Sequence, residues 1–307
     1  MFWFGVKVFL TDKELKRLVV STTTDSLDYV EGIDNCYGIT RLHMTAIHNG
    51  TTRVLGKYID PNVFYFSLED LRSKKSLPKA SMPTHDEIVS IFNKAIEEKY
   101  DEIIFVTFSS CFGGTYDFVC SLSKDFASKI RTYVINSRTF GFNQGYVALK
   151  VQEMVNKGVP TSDILVKVEK LIKNQTIVAL AKNIDYVYAN HLVSLRKNIF
   201  AKVFHHIPEF KLTKNGYFDM IKNTPFQRIA FDDTFAKVKE LIGDKKRKEY
   251  LLFHLYTGKE FLETLKEKEV TAGIETNFPD VIFSPAIGFR YGPYLAGYGF
   301  IDLKNID

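Results

Sequence analysis

Residues Phe108 to Tyr116 read FSSCFGGTY, a loop of hydroxyls and glycines between DEIIFVTF (101–108) and TYDFVCSLSKDFASKI (115–130). The first flank is a continuous apolar run, as expected of a strand buried on both faces. The second carries apolar residues at helical spacing. Strand, loop and helix in that order predict one unit of a parallel α/β sheet, in which ligands sit beyond the carboxyl ends of the strands. Gly113 and Gly114 permit a tight turn and close backbone approach. Ser109, Ser110 and Thr115 add hydroxyl donors, and a helix start offers free N–H groups with partial positive charge. The loop therefore suits a carboxylate or phosphate. It suits equally well a plain helix entry with Thr115 or Ser110 as the cap. A nucleophile's seat is disfavoured, because no arginine follows Cys111 at a phosphatase-like spacing and no histidine motif ties a base to the loop.

Outward from this loop the same alternation continues. Strands are expected at 18–23, 39–47, 52–59, 102–108, 132–136 and 176–180, with helices between them. Ser67 with Asp70 and Thr84 with Glu87 have capping-box spacing, Asn49-Gly50 marks a hairpin, and Gly158 followed by Pro160 closes a helix running back to about Gly141. Beyond about residue 155 the texture changes. Asn215-Gly216 suggests an antiparallel hairpin, and helical patterns (232–242, 257–266) alternate with strands (249–255, 281–284). A chain of 307 residues with 45% hydrophobic content supports two packed domains. The expected organisation is a short extension over 1–17, a Rossmann-like α/β domain with a parallel sheet over 18–155, and a second α/β domain with a mixed or antiparallel sheet over 156–307.

Composition narrows the classes. With 41 basic and 36 acidic residues the net charge is +5, read as a mild excess spread along the chain, which argues against nucleic acid. DKKRK (244–248) reads as a solvated loop rather than a patch for an acidic partner. Three cysteines, Cys36, Cys111 and Cys120, are odd in number and lack metal spacing, which fits a reducing, cytoplasmic setting. His205-His206 with Glu209 likewise matches no metal spacing. MFWFGVKVFL (1–10) is broken by Lys7 and reads as a short strand rather than a signal peptide, and no membrane-inserting span is expected.

Five motifs in order resemble those of the DegV family of bacterial fatty-acid-binding proteins. TTTDSLDYV (22–30) is similar to that family's TDS segment, and KASMPTHDEI (79–88) to its T-S-Q-P element. FSSCFGGTY resembles its S-S-x-L-S-G-T-Y loop, and INSRTFGFNQGY (135–146) the segment that follows. SPAIGFRYGPYLAGYGF (284–300) is similar to the terminal P-V-I-x-x-H-x-G-P-G motif. The resemblance implies a two-domain carrier that holds one long-chain fatty acid such as palmitate, with the tail in an apolar tunnel and the carboxylate at the domain interface. It implies no cofactor and no independent chemistry. Some members deliver the acid to a fatty acid kinase.

The departures are informative. The family's threonine falls on Ala80, flanked by Ser81 and Thr84, its loop serine on Gly113, and its histidine on Arg290. The arginine of the second domain falls on Leu192, within ANHLVSL (189–195). A further one, used by kinase-associated members, falls near Pro225 with Arg228 close by, so docking to a kinase is doubtful. Burying about 15 methylenes contributes on the order of 12 kcal/mol, against about 1.5–3 kcal/mol for each hydrogen bond to a charged group. The tail outweighs two lost hydroxyls. The expected head-group site is therefore Ser81, Ser110, Gly113, Gly114, Thr115 and Arg290, with the arginine in the histidine's place. Phe112, Phe140, Phe142, Tyr291 and Tyr294 line a tunnel or fill the core. The alternatives are a hydrolase using Ser110 or Cys111, and a ligand-free paralogue serving as an interaction subunit.

Overall fold

A computed structural model describes residues 15–30, 33, 38–48, 51–56, 59–69, 79–182, 186 and 206–304. In chain order the elements are β1 (Arg17–Thr22), β2 (Thr40–Leu42), β3 (Met44–His48), β4 (Thr51–Leu55), α1 (Pro61–Glu69), β5 (Lys79–Ser81), α2 (His85–Glu97), β6 (Glu102–Thr107), α3 (Thr115–Asp125), β7 (Arg131–Asn136), α4 (Phe142–Asn156), α5 (Thr161–Lys173) and β8 (Gln175–Ala181). They continue with β9 (Ile207–Leu212), β10 (Phe218–Thr224), α6 (Gln227–Ile242), β11 (Tyr250–Tyr256), α7 (Lys259–Ala272), β12 (Val281–Ile282), the short α8 (Pro285–Gly288) and β13 (Leu295–Asp302).

The first sheet, in order β2-β1-β6-β7, is parallel throughout. Every residue of β6 is buried, as its unbroken apolar run requires. The second sheet, β10-β9-β8-β13-β11-β12, is mixed, with β11 and β12 parallel and the other pairs antiparallel. Both sheets match the α/β architecture expected from the sequence. A third, antiparallel sheet, β4-β3-β5, was not foreseen. The expected strand 39–47 divides at His43 into β2 and β3, which belong to different sheets. Strand 52–59 stops at Leu55. The central strand β13 is also absent from the expected strands, since its residues entered only as part of the terminal motif and its glycines interrupt the apolar pattern. Its glycines answer close approach instead: a Cβ at Gly297 would strike the Val178 carbonyl and Ala179, and one at Gly299 the Phe253 ring.

The helix ends follow local chemistry, with two corrections. Thr84 does cap α2, accepting from the Glu87 amide at 3.2 Å. The Glu87 carboxylate does not reach back, and binds His43 through its backbone N (2.8 Å) and Nδ1 (2.7 Å). Ser67 lies inside α1 and donates to the Phe64 carbonyl at 2.6 Å. The α1 cap is Asp60, whose Oδ1 accepts from the Asn62 amide at 2.8 Å. Asn49-Gly50, Cys36, His205, residues 1–14 and ANHLVSL fall outside the described residues. Among the described residues no helix is long and apolar enough to cross a membrane, and no cluster of metal-ligating side chains occurs.

In the second sheet, His254 on β11 is 1% exposed. Its Nδ1 meets Asp280 Oδ1 at 2.6 Å and its Nε2 meets Glu269 Oε2 at 2.9 Å. Burial disfavours the imidazolium, but hydrogen bonds to two carboxylates outweigh it and raise the pKa. Burial likewise opposes ionisation of Asp280, yet His254 and Lys266 pull its pKa down to about 2. The stability that His254 contributes is complete below its ordinary pKa of 6.5 and is lost as pH climbs through the raised value. That from Asp280 is complete above 3.8 and is lost as pH falls toward 2. Urea unfolding as a function of pH should therefore show greatest stability between those two values, with His254→Asn removing much of the decline on the alkaline side.

Candidate functional site

The exit of β1 is where the two sheets meet. Thr22, Thr23, Thr24, Asp25 and Ser26 are all buried. Asp25 receives Arg41 as a two-pronged pair, at 2.6 Å and 2.5 Å, together with Ser21 Oγ at 2.5 Å and the Leu27 amide at 3.0 Å. Ser26 adopts a left-handed φ of 61°, and its Oγ accepts from the Ser284 amide at 2.9 Å. The N-terminal motif is thereby tied to the start of the C-terminal one. Gln144 on α4 closes the corner, donating to Thr22 Oγ1 at 2.8 Å and accepting from Thr24 Oγ1 at 2.7 Å.

FSSCFGGTY lies beyond the carboxyl end of β6, as its neighbours in sequence required. Neither proposed cap is used: the N-cap of α3 is Gly114, with no side-chain hydrogen bond. Ser110 Oγ accepts from Asn136 Nδ2 at 2.7 Å. Thr115 is buried, with its hydroxyl 4.0 Å from Met44 Sδ. Ser109, which the sequence placed only among generic donors, has the more telling position. It is fully buried and donates to the Gly216 carbonyl at 2.8 Å, in the β9–β10 hairpin of the second sheet. Cys111, exposed, brings its Sγ to 3.4 Å from the Asn215 carbonyl. The Asn-Gly turn read from the sequence is real, with Gly216 at φ 91°, and a Cβ there would strike Ser109 Oγ.

Gly113 leaves room for a side chain, and Gly114 is tighter. A Cβ at Gly113 would sit 3.5 Å from the Phe108 ring, an ordinary contact, and one at Gly114 would lie 3.2 Å from Met82 Sδ. The missing serine at 113 is therefore not forced by crowding. Ser81, exposed at the end of β5, approaches the loop through its neighbour Met82. Ala80 pairs with Ala46 in the register of β3 and β5.

Arg290 is half-buried just after α8, with its guanidinium 5.8 Å from the Phe289 ring centre. Burial lowers its pKa, with the adjacent Tyr291 opposing. Rings connect it to the loop: Tyr291 stacks on Phe140 at 6.4 Å, and Phe140 meets Phe112 edge-on at 4.8 Å. Phe210 and Phe218 pack on Tyr291 at 5.8 Å and 5.4 Å. Phe112, Phe140, Phe142 and Tyr291 thus fill core, whereas Tyr294 is half-buried with Lys182 5.2 Å over its ring. Cavities of about 520 and 400 Å³ open elsewhere, and neither is lined by the loop. Arg228 is an exposed residue of α6 with Asp232 3.7 Å away. Glu209 is buried and paired with Lys237 at 2.6 Å.

A parallel sheet and a mixed sheet joined by hydroxyl-to-backbone bonds, with a small antiparallel sheet beside them and a glycine loop feeding a helix, define the class of α/β protein. The chain belongs to the DegV family, whose model, described as "Uncharacterised protein, DegV family", matches residues 20–303. A DegV domain-containing protein of Caldanaerobacter subterraneus subsp. tengcongensis is 26% identical over 285 residues, spanning 92% of this chain and 98% of that protein. Among solved structures, the fatty acid binding DegV family protein SAG1342 of Streptococcus agalactiae superposes with a TM-score of 0.80 at 16% identity, over 94% of this chain and 99% of that one. A DegV family protein of Thermus thermophilus, described by its fatty acid binding, gives 0.78 at 14%, over 94% and 100%. At these identities the likeness is one of fold.

Ser109→Ala would leave the buried Gly216 carbonyl without its donor. Urea unfolding should show a loss of about 1–3 kcal/mol.

Proposed function

We propose that this protein is a non-catalytic carrier of a long-chain fatty acid, working in a reducing, cytoplasmic setting. The observation that carries the reading is the match of fold, over 94% of the chain, to two DegV relatives described as fatty acid binding. The head group lies against the Ser109–Thr115 loop, where the α3 N-terminus offers its amides, with Ser81 and Arg290 contributing from either side. A half-buried guanidinium suits a carboxylate better than a neutral imidazole would, through a two-pronged, charge-assisted contact. Met44 and Met82, flexible thioethers beside the loop, adapt to the start of the acyl chain.

A hydrolase fits the loop less well. The Ser109 proton is donated to a backbone carbonyl, and the Ser110 oxygen accepts from an amide. Among the described residues, neither hydroxyl is hydrogen-bonded to a base that would activate it.

Mass spectrometry of the solvent extract of freshly purified protein should find one fatty acid per chain. Protein free of lipid would favour the ligand-free paralogue. Arg290→Ala should weaken retention tenfold or more. Gly113→Ser, which the neighbouring ring accommodates, should tighten it by about tenfold, equivalent to about 1.4 kcal/mol. Unchanged retention in both variants would place the head group elsewhere.

A further inference from the structure

The lysines behind the formal charge of +5 are spread along the sequence, as expected, yet a group of them converges in space. Two cavities flank the end of β13: Asp302 lines the smaller, of about 400 Å³, and Leu303 and Lys304 line the larger, of about 520 Å³. Nine lysines and four carboxylates line the two together. That excess of five positive charges equals the formal charge of the whole chain, +5, so the remaining charges cancel. The basic run 244–248 straddles the pair, sending Lys245 to the smaller cavity and Lys248 to the larger.

The larger cavity has two kinds of wall. Met154 and Tyr146 of α4, Val168 and Leu171 of α5, and Leu303 supply apolar surface. Tyr146, Lys150 and Met154 follow one another at helical spacing on one face of α4, with Lys157 at its C-cap. Glu153 neutralises its neighbours, meeting Lys150 at 2.8 Å and Lys157 at 2.6 Å. Those hydrogen bonds draw its pKa down to about 2. Lys167, Lys248 and Lys304 also line the cavity, and among the described residues none of them forms an ion pair within 4.0 Å.

We infer that this cavity binds a phosphate monoester carried on an alkyl or aryl group, free in solution. Glu249, the second carboxylate of the lining, offsets part of the charge of Lys248 and Lys304, and five lysines against two carboxylates still leave an excess that suits a dianion. The apolar wall takes the organic body, and the volume lies in the range of small-molecule sites. No lining residue belongs to the loop or to the terminal motif, so the inference does not depend on the fatty-acid reading.

Calorimetric titration with octyl phosphate tests it, alongside inorganic phosphate as a probe lacking the apolar body. Octyl phosphate should bind once per chain, at least tenfold more tightly than inorganic phosphate, and more weakly as NaCl is raised. The triple variant K167E/K248E/K304E should lose at least tenfold in affinity. K167Q/K248Q/K304Q, gentler on the fold, should lose a smaller but clear part of it, and Arg290→Ala should bind as the parent does. The inference falls if octyl phosphate does not bind, or if both lysine variants bind as the parent does. It falls as well if Arg290→Ala alone abolishes binding, which would place the probe at the fatty-acid site.

Discussion

Asp25 is a carboxylate removed from water, and the crevice end of the molecule is arranged to satisfy it. An unpaired buried charge costs several kcal/mol. Arg41 answers with both prongs of its guanidinium, and Ser21 and the Leu27 amide occupy much of the remaining acceptor capacity. Holding those groups turns the chain sharply after β1 and sets Ser26 in its left-handed conformation. From there Ser26 receives the Ser284 amide, so the terminal motif that carries Arg290 takes its position from a pair more than two hundred residues away in sequence. Tyr65 adds a second restraint on the same segment, donating to the Phe283 carbonyl at 2.8 Å.

The loop after β6 is held in a comparable way from the opposite side. Its backbone follows from two glycines and a helix start, but its position follows from Ser109 reaching into the hairpin of the second sheet. The aromatic rings between loop and terminus then form a continuous packed path, Phe112 to Phe140 to Tyr291.

Much of this was legible in the sequence, and the reasons differ by element. Apolar runs revealed β1 and β6, because strands covered on both faces need no polar alternation, while β7, only partly buried, was readable from its β-branched and aromatic residues. The Asn-Gly at 215–216 and the Gly158/Pro160 helix end were readable because each needs one specific backbone conformation. By contrast β13 was hidden, since glycines imposed by close strand and ring contacts look the same as glycines imposed by turns. Ser67 looked like a cap because spacing alone cannot say whether a hydroxyl lies at a helix end or inside it. Local chemistry likewise could not show that Ser109, rather than Ser110, crosses to the second sheet, or that lysines scattered through 150 residues converge at one end.

The two ties across the crevice, Ser26 to Ser284 and Ser109 to Gly216, share a property: both join a hydroxyl to the backbone, and neither partner titrates in the range where cells live. Acid and alkali act instead on the His254 cluster, which lies within the second sheet. The two ties therefore contain no titrating atom of their own, although the Asp25–Arg41 pair that sets Ser26 stands directly behind one of them. Moderate changes of proton concentration would alter how firmly the second sheet is held while leaving the ties themselves intact.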